Sequence, residues 1–267
     1  MADPRPMPQA SINHRYFISV WTIVRKEVTR FTRIWLQTIL PPAITMALYF
    51  VIFGNLIGPR IGEMQGFSYM QYIAPGLIMM AIITNAYANV VSSLFGAKFQ
   101  RHIEEILVAP IPNLLLLVGY MVGGMVRGVL VGLVVTVTAL CFTDLQVESW
   151  PVTLAVVILT AALFSLAGLL NALFATKFDD ISIVPTFILT PLTYLGGVFY
   201  SIDMLPVFWQ KVSLGNPILY MVNAFRYGLL GVSDIDITTA FSVIVLFCVV
   251  LFGVSLWLLE RGVGLRT

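Results

Sequence analysis

Six long stretches without a single charged residue, set apart by short charged patches, fill most of this chain. They cover residues 34–59, 64–97, 128–143 (with the apolar run 106–126 before it), 149–176, 181–202 and 237–259. A hydrocarbon core about 30 Å thick is crossed by roughly 20 apolar residues in a helix. Most of these stretches meet that length, so the chain reads as an all-α membrane protein with six spans, near 35–57, 70–97, 114–142, 151–176, 181–201 and 237–259. Only 10% of the 267 residues are charged, where a soluble domain has about 25%. The spans nearly exhaust the chain, so a nucleotide-binding or catalytic head would be a separate protein.

Charge sets the orientation. Cytoplasmic loops of membrane proteins are enriched in Lys and Arg. With both termini inside, the inner side holds 11 cations: Arg5, Arg15, Arg25, Lys26, Arg30, Arg33, Lys98, Arg101, Lys177, Arg261 and Arg266. The outer side holds 3: Arg60, Lys211 and Arg226. Trp35 and Trp257 then mark the inner interface, and Trp150, Tyr200 and Trp209 the outer one, where amphipathic rings settle. A net charge of +2 gives no case for a nucleic-acid partner. Residues 1–16 are polar and proline-bearing and do not read as a cleaved signal peptide.

Two amphipathic segments lie on the inner side. In 20–35, apolar residues recur at Val20, Trp21, Val24, Val28, Phe31 and Trp35, with Thr22, Lys26, Thr29, Arg30 and Arg33 opposite. That is a helical period with a basic face, suited to anionic headgroups or a cytoplasmic partner. In 98–108, Phe99, Ile103, Ile106 and Leu107 form one stripe, while Lys98, Arg101, Glu104 and Glu105 face away; Pro110 and Pro112 end the helix. By its residues alone this second segment is a solvated loop helix or a docking helix.

Within the spans, Gly119, Gly123, Gly124, Gly128 and Gly132 give small-xxx-small spacing that permits close helix approach, within one chain or across a dimer seam. Arg127 shares this span. An intramembrane cation is costly and marks either a functional site or a contact with a lipid phosphate or carboxylate. Asn85 and Asn89 lie four apart on one face of span two. Thr190, Thr193 and Tyr194 lie in span five, whose backbone ladder Pro185 and Pro191 interrupt. These polar residues suit a cavity or interhelical hydrogen bonds equally. Residues 212–225 are uncharged over too short a stretch to span, and with Asn216-Pro217 and Arg226 they suggest that 196–231 dips into the outer leaflet; a short helix is expected in 203–211. No motif for covalent chemistry emerges: His14 and His102 are far apart, Asp179 and Asp180 are not paired across a cleft, Cys141 and Cys248 have no metal spacing, and G-x-x-x-x-G-K-[ST] is missing.

The segment 98–112 (KFQRHIEEILVAPIP), the run 191–200 (PLTYLGGVFY), Leu205-Pro206, and Asn216-Pro217 followed by Arg226 occur in an order that resembles the permease subunits of ABC-2-type ATP-binding-cassette exporters, over nearly the whole chain. The resemblance implies a type V exporter fold in the bacterial inner membrane. Residues 1–33 would hold the N-terminus and connecting helix (Lys26, Arg30, Arg33), and 34–267 a single transmembrane domain. It implies a homodimer joined by two copies of a separate ATPase that carries ATP and Mg, with no cofactor in this chain. Lys98, Arg101, Glu104, Glu105, Asp179 and Asp180 would couple to that ATPase. Asn85, Asn89, Arg127, Thr190, Thr193 and Tyr194 would line the substrate path, and Asn216, Pro217 and Arg226 an outer gate. The cargo would be amphipathic: a drug, a lipid or a lipid-linked glycan. A self-contained secondary transporter or channel is the competing reading; it normally carries midspan acids for ion coupling, and the spans here hold none. A membrane anchor that recruits a cytoplasmic protein is the third.

Overall fold

The computed structural model describes residues 12–108 and 111–264. Arg5, Pro110 and Arg266, named above, lie outside them, as does the Leu107 side chain. The chain opens with α1 (Ile12–Arg33). The stretch Trp35–Ile61 follows as a broken helix: α2 (Trp35–Thr38), α3 (Leu40–Tyr49), a π-helical turn (Phe50–Ile57) and α4 (Gly58–Ile61). Pro41 and Pro42 fall in the first turn of α3, where no backbone donor is missed. A small hairpin, β1 (Glu63–Met64) against β2 (Phe67–Ser68), turns the chain back into α5 (Tyr69–Phe99). Ser68 and Gln71 cap α5 reciprocally, so two otherwise orphaned donors are satisfied.

The short α6 (His102–Val108) leads to α7 (Asn113–Leu140) and α8 (Trp150–Phe174). Then come α9 (Asp180–Val184), a π-helical turn (Pro185–Leu189) and α10 (Thr190–Tyr194). A 3₁₀ turn (Ile202–Met204), α11 (Val207–Leu214), α12 (Pro217–Leu230) and α13 (Ile237–Glu260) complete the chain. The helix expected in 203–211 begins at Val207, just after Pro206, and runs to Leu214.

Helix α5 is the hub because most of its surface is buried. Tyr72, Ile73, Leu77, Met79, Ile83, Ala86 and Val90 are all sealed from the surroundings, and Asn85, Asn89 and Ser93 are buried with them. Helices α7, α8 and α12 surround it. In lipid the drive for such packing is close van der Waals fit rather than escape from water, and the α7 glycines supply the fit. A Cβ on Gly128 would stand 2.8 Å from the Ala86 side chain of α5, and one on Gly123 2.6 Å from Glu27 of α1. The small-residue spacing is therefore spent inside the chain.

Among the described residues, five helices are long and apolar enough to cross a membrane: Trp35–Ile61, Tyr69–Phe99, Asn113–Leu140, Trp150–Phe174 and Ile237–Glu260. The expected fifth span, 181–201, is not a continuous helix. Its helical turns occupy 180–194, and Pro185 begins the π-helical break, since proline offers no backbone N–H to the ladder. Beyond Tyr194 the chain turns on Gly197, whose φ of +71° favours glycine.

Candidate functional site

One end of the bundle collects α1, α6, the loop 175–179 and the end of α13. Here α1 does not lie with both tryptophans inward. Trp21 and Trp35 are exposed, while Glu27 and Phe31 are fully buried. The packed stripe runs through Ile23, Glu27 and Phe31 instead, with Ile23 and Glu27 seated on Gly119 and Gly123 of α7. The expected helical period is present up to Arg33, but the packed face is rotated so that it includes an acid.

Glu27 organises a polar knot between α1, α5 and α7. Its carboxylate lies 3.1 Å from Arg30 and accepts hydrogen bonds from the Ser93 hydroxyl and, at 3.3 Å, from the Asn89 amide. Arg30 donates to the Asn89 carbonyl at 2.9 Å, to the Asn89 side-chain oxygen at 2.8 Å and to Ser92 at 3.4 Å. One turn along α5, Arg127 of α7 donates to Asn85 Oδ1 at 3.3 Å. Asn85, Asn89, Arg127 and Arg30 are thus brought together. Glu27 is the residue that sequence reading missed, and its signal was present: it is the one acid between positions 12 and 62.

Thr190 and Thr193 go elsewhere. They line a groove of about 420 Å³ between α5 and the 180–194 segment, shared with Met80, Thr84, Tyr87 and Pro185. Their hydroxyls donate to the Pro185 and Leu189 carbonyls. Tyr194 is exposed and stacks on Phe199 with ring centroids 5.8 Å apart. The residues expected along one path fall on two faces of α5.

On the same end as α1, α6 buries Ile103 and leaves Glu104 and Glu105 exposed. Arg101 sits exposed in the sharp turn between α5 and α6 with a φ of +60°. Phe99 does not join the α6 stripe; it is exposed and meets Phe178 at 4.7 Å between ring centroids. Lys98 does not face away. Its ammonium donates to the carbonyls of Ala172, Leu173 and Ala175 at 2.7–3.0 Å, closing the end of α8. Asp179 is exposed. Asp180 accepts from the Thr176 and Lys177 backbone amides and the Thr176 hydroxyl at 2.8–2.9 Å. The Thr176 amide bond, foremost, holds its carboxyl below the usual range.

At the opposite end, Asn216 caps α12 by accepting from Ile218 N–H at 3.0 Å and donates to the Leu192 carbonyl at 2.5 Å; Pro217 takes the first helical position. Arg226 is wholly buried, not exposed on an outer loop. It stacks on Tyr72 at 4.0 Å and donates to the Gly197 carbonyl at 2.7 Å and the Tyr72 carbonyl at 3.4 Å. Asp234 ties the same end together, bonding Ser201, the Ile202 amide and Gln65. These residues staple α12 to the 180–197 segment and to α5.

The sequence pattern of the family described as ABC-2 type transporter matches residues 18–230. The chain is 59% identical to the inner membrane transport permease YadH of Escherichia coli K12, over 95% of this chain and 99% of that protein. It is 24% identical to nodulation protein J of Rhizobium leguminosarum bv. viciae, over 96% of both. A 22% identity to nodulation protein J of Rhizobium meliloti covers 92% of this chain. With its apolar helices and this match across most of its length, the chain belongs to the ABC-2 type transporter family.

Proposed function

We propose that this chain is the permease subunit of an ATP-binding-cassette exporter in the bacterial inner membrane, pairing with a second copy of itself and with two copies of a separate ATPase. Residues 1–33 form the inner segment and connecting helix, and 34–267 the transmembrane domain. Membership in the family implies an ATPase partner, and the 59% identical relative is a transport permease of the inner membrane. The observation that carries the reading is α6: Ile103 anchors it to the bundle while Glu104 and Glu105 stand in the open, Glu105 beside Ile18 and Thr22 of α1. A helix so held moves with α5 when pushed, and its acids offer strong acceptors to a partner's cations.

The sixth crossing is then made by the 180–194 segment together with the hairpin of α11 and α12 from the outer side. Amphipathic cargo passes along the groove beside Thr190 and Thr193, and α12 moves as the outer closure with Asn216, Pro217 and Arg226 as its fastenings. The test is co-purification with the ATPase encoded beside this gene, followed by an ATPase assay. A stoichiometric complex with vanadate-sensitive turnover supports the reading. A stable permease that recruits no ATPase from its host shifts the function to a self-contained transporter.

A further inference from the structure

The knot beneath α1 is not neutral. Arg30 and Arg127 hold Asn89 and Asn85, one turn apart on α5, and Glu27 is already engaged by Arg30, Ser93 and Asn89. Arg127 has a neutral partner in Asn85, and the Nε atoms of both arginines are buried with no hydrogen-bond partner. Two cations against one carboxylate leave one positive charge over. In a low-dielectric setting an uncompensated charge is costly. Arg127 lies about four turns into α7, deeper than a loop cation.

The knot is also reachable. Arg30 keeps 30% of its side chain exposed and opens onto a groove of about 650 Å³ along the basic face of α1, lined by Arg25, Lys26, Thr29 and Arg33. Cations therefore run from the surface groove inward to Arg127. Guanidinium forks match phosphate oxygens two at a time. We propose that Arg30 and Arg127 form a site for the phosphate headgroup of an amphiphile entering from the inner leaflet. The site lies across α5 from the Thr190–Thr193 groove, so it deepens the permease reading by naming the headgroup chemistry at a point of entry and not along that groove, and it rests on that reading only where transport is concerned.

The test titrates the purified full chain with phosphatidic acid and with phosphatidylcholine, following bound lipid by native mass spectrometry. The wild type is expected to prefer phosphatidic acid by about tenfold, equivalent to one strong charge-assisted contact. Arg127→Gln removes the preference. Asn85→Asp, which sets a carboxylate against Arg127 with no change of shape, also removes it and guards against misfolding of the first variant. An equal preference in all three proteins, or none in the wild type, overturns the site. Proteoliposomes with the ATPase and fluorescent phosphatidic acid separate the two sources. ATP-driven arrival in the outer leaflet marks the headgroup as cargo, and retention without movement marks a resident lipid. Because the binding titration needs no ATPase, the site can fail while the permease reading stands, and the reverse.

Discussion

The carboxylate of Glu27 is fully buried 3.1 Å from the guanidinium of Arg30, one turn further along the same helix. Arg30 continues the connection to both oxygens of Asn89. Helix α1 is thereby fixed to the central helix of the bundle by an acid that has no contact with solvent. A displacement of α1 must carry α5 with it or break this contact.

Glu27→Ala removes one partner of a buried pair and takes one acceptor each from Arg30, Ser93 and Asn89. It is expected to cost roughly 3–5 kcal/mol, read as a large drop in thermal midpoint of the purified chain. Glu27→Gln keeps one acceptor and should cost less. A midpoint for the alanine variant equal to wild type would show that the knot does not hold α1.

Lys98 closes α8 from the neighbouring helix. Lys98→Met leaves three carbonyls without their donor, and a hydrogen bond from a charged group contributes about 1.5–3 kcal/mol. The variant should unfold earlier, with faster hydrogen exchange confined to the last turn of α8. Exchange unchanged at Ala172–Ala175 would contradict the assignment.

The depressed carboxyl of Asp180 makes a prediction about acid. Its folded value lies below the ordinary 3.8 because the ionised form accepts three hydrogen bonds. The stabilisation is therefore fully present above the unfolded value and is lost as pH falls through the folded one. Melting midpoints of wild type and Asp180→Asn should differ at pH 7 and converge below about pH 4, near the ordinary carboxylate range. A constant difference across that window would remove the effect from this carboxylate.

Glu104→Lys combined with Glu105→Lys reverses the exposed face of α6 while sparing buried Ile103. The double variant should insert and melt like wild type but lose ATPase co-purification by tenfold or more, as expected for like charges placed across a contact. Normal recruitment with normal transport would rule out α6 as the docking element.

Much of the architecture was legible because lipid imposes long apolar runs and leaves few alternatives. The α1 period, the short helix carrying Glu104 and Glu105, and the proline-broken fifth segment were all readable. What escaped was which polar groups turn inward. Lys98 and Arg226 are long cations counted as loop charges, yet both satisfy backbone carbonyls of distant segments, and nothing local in sequence reports such partners. The family resemblance puts Asn85 and Thr190 along one path; α5 separates them, since both of its faces are occupied.

The brevity of the 180–194 segment bears on how the chain enters the membrane during synthesis. Fifteen helical residues reach about 22 Å, short of a bilayer core, and the staples that hold them, Asn216 on Leu192 and Arg226 on Gly197, emerge later from the ribosome. A nascent chain halted before residue 216 is therefore expected to leave this stretch open to protease, while the four preceding spans resist it.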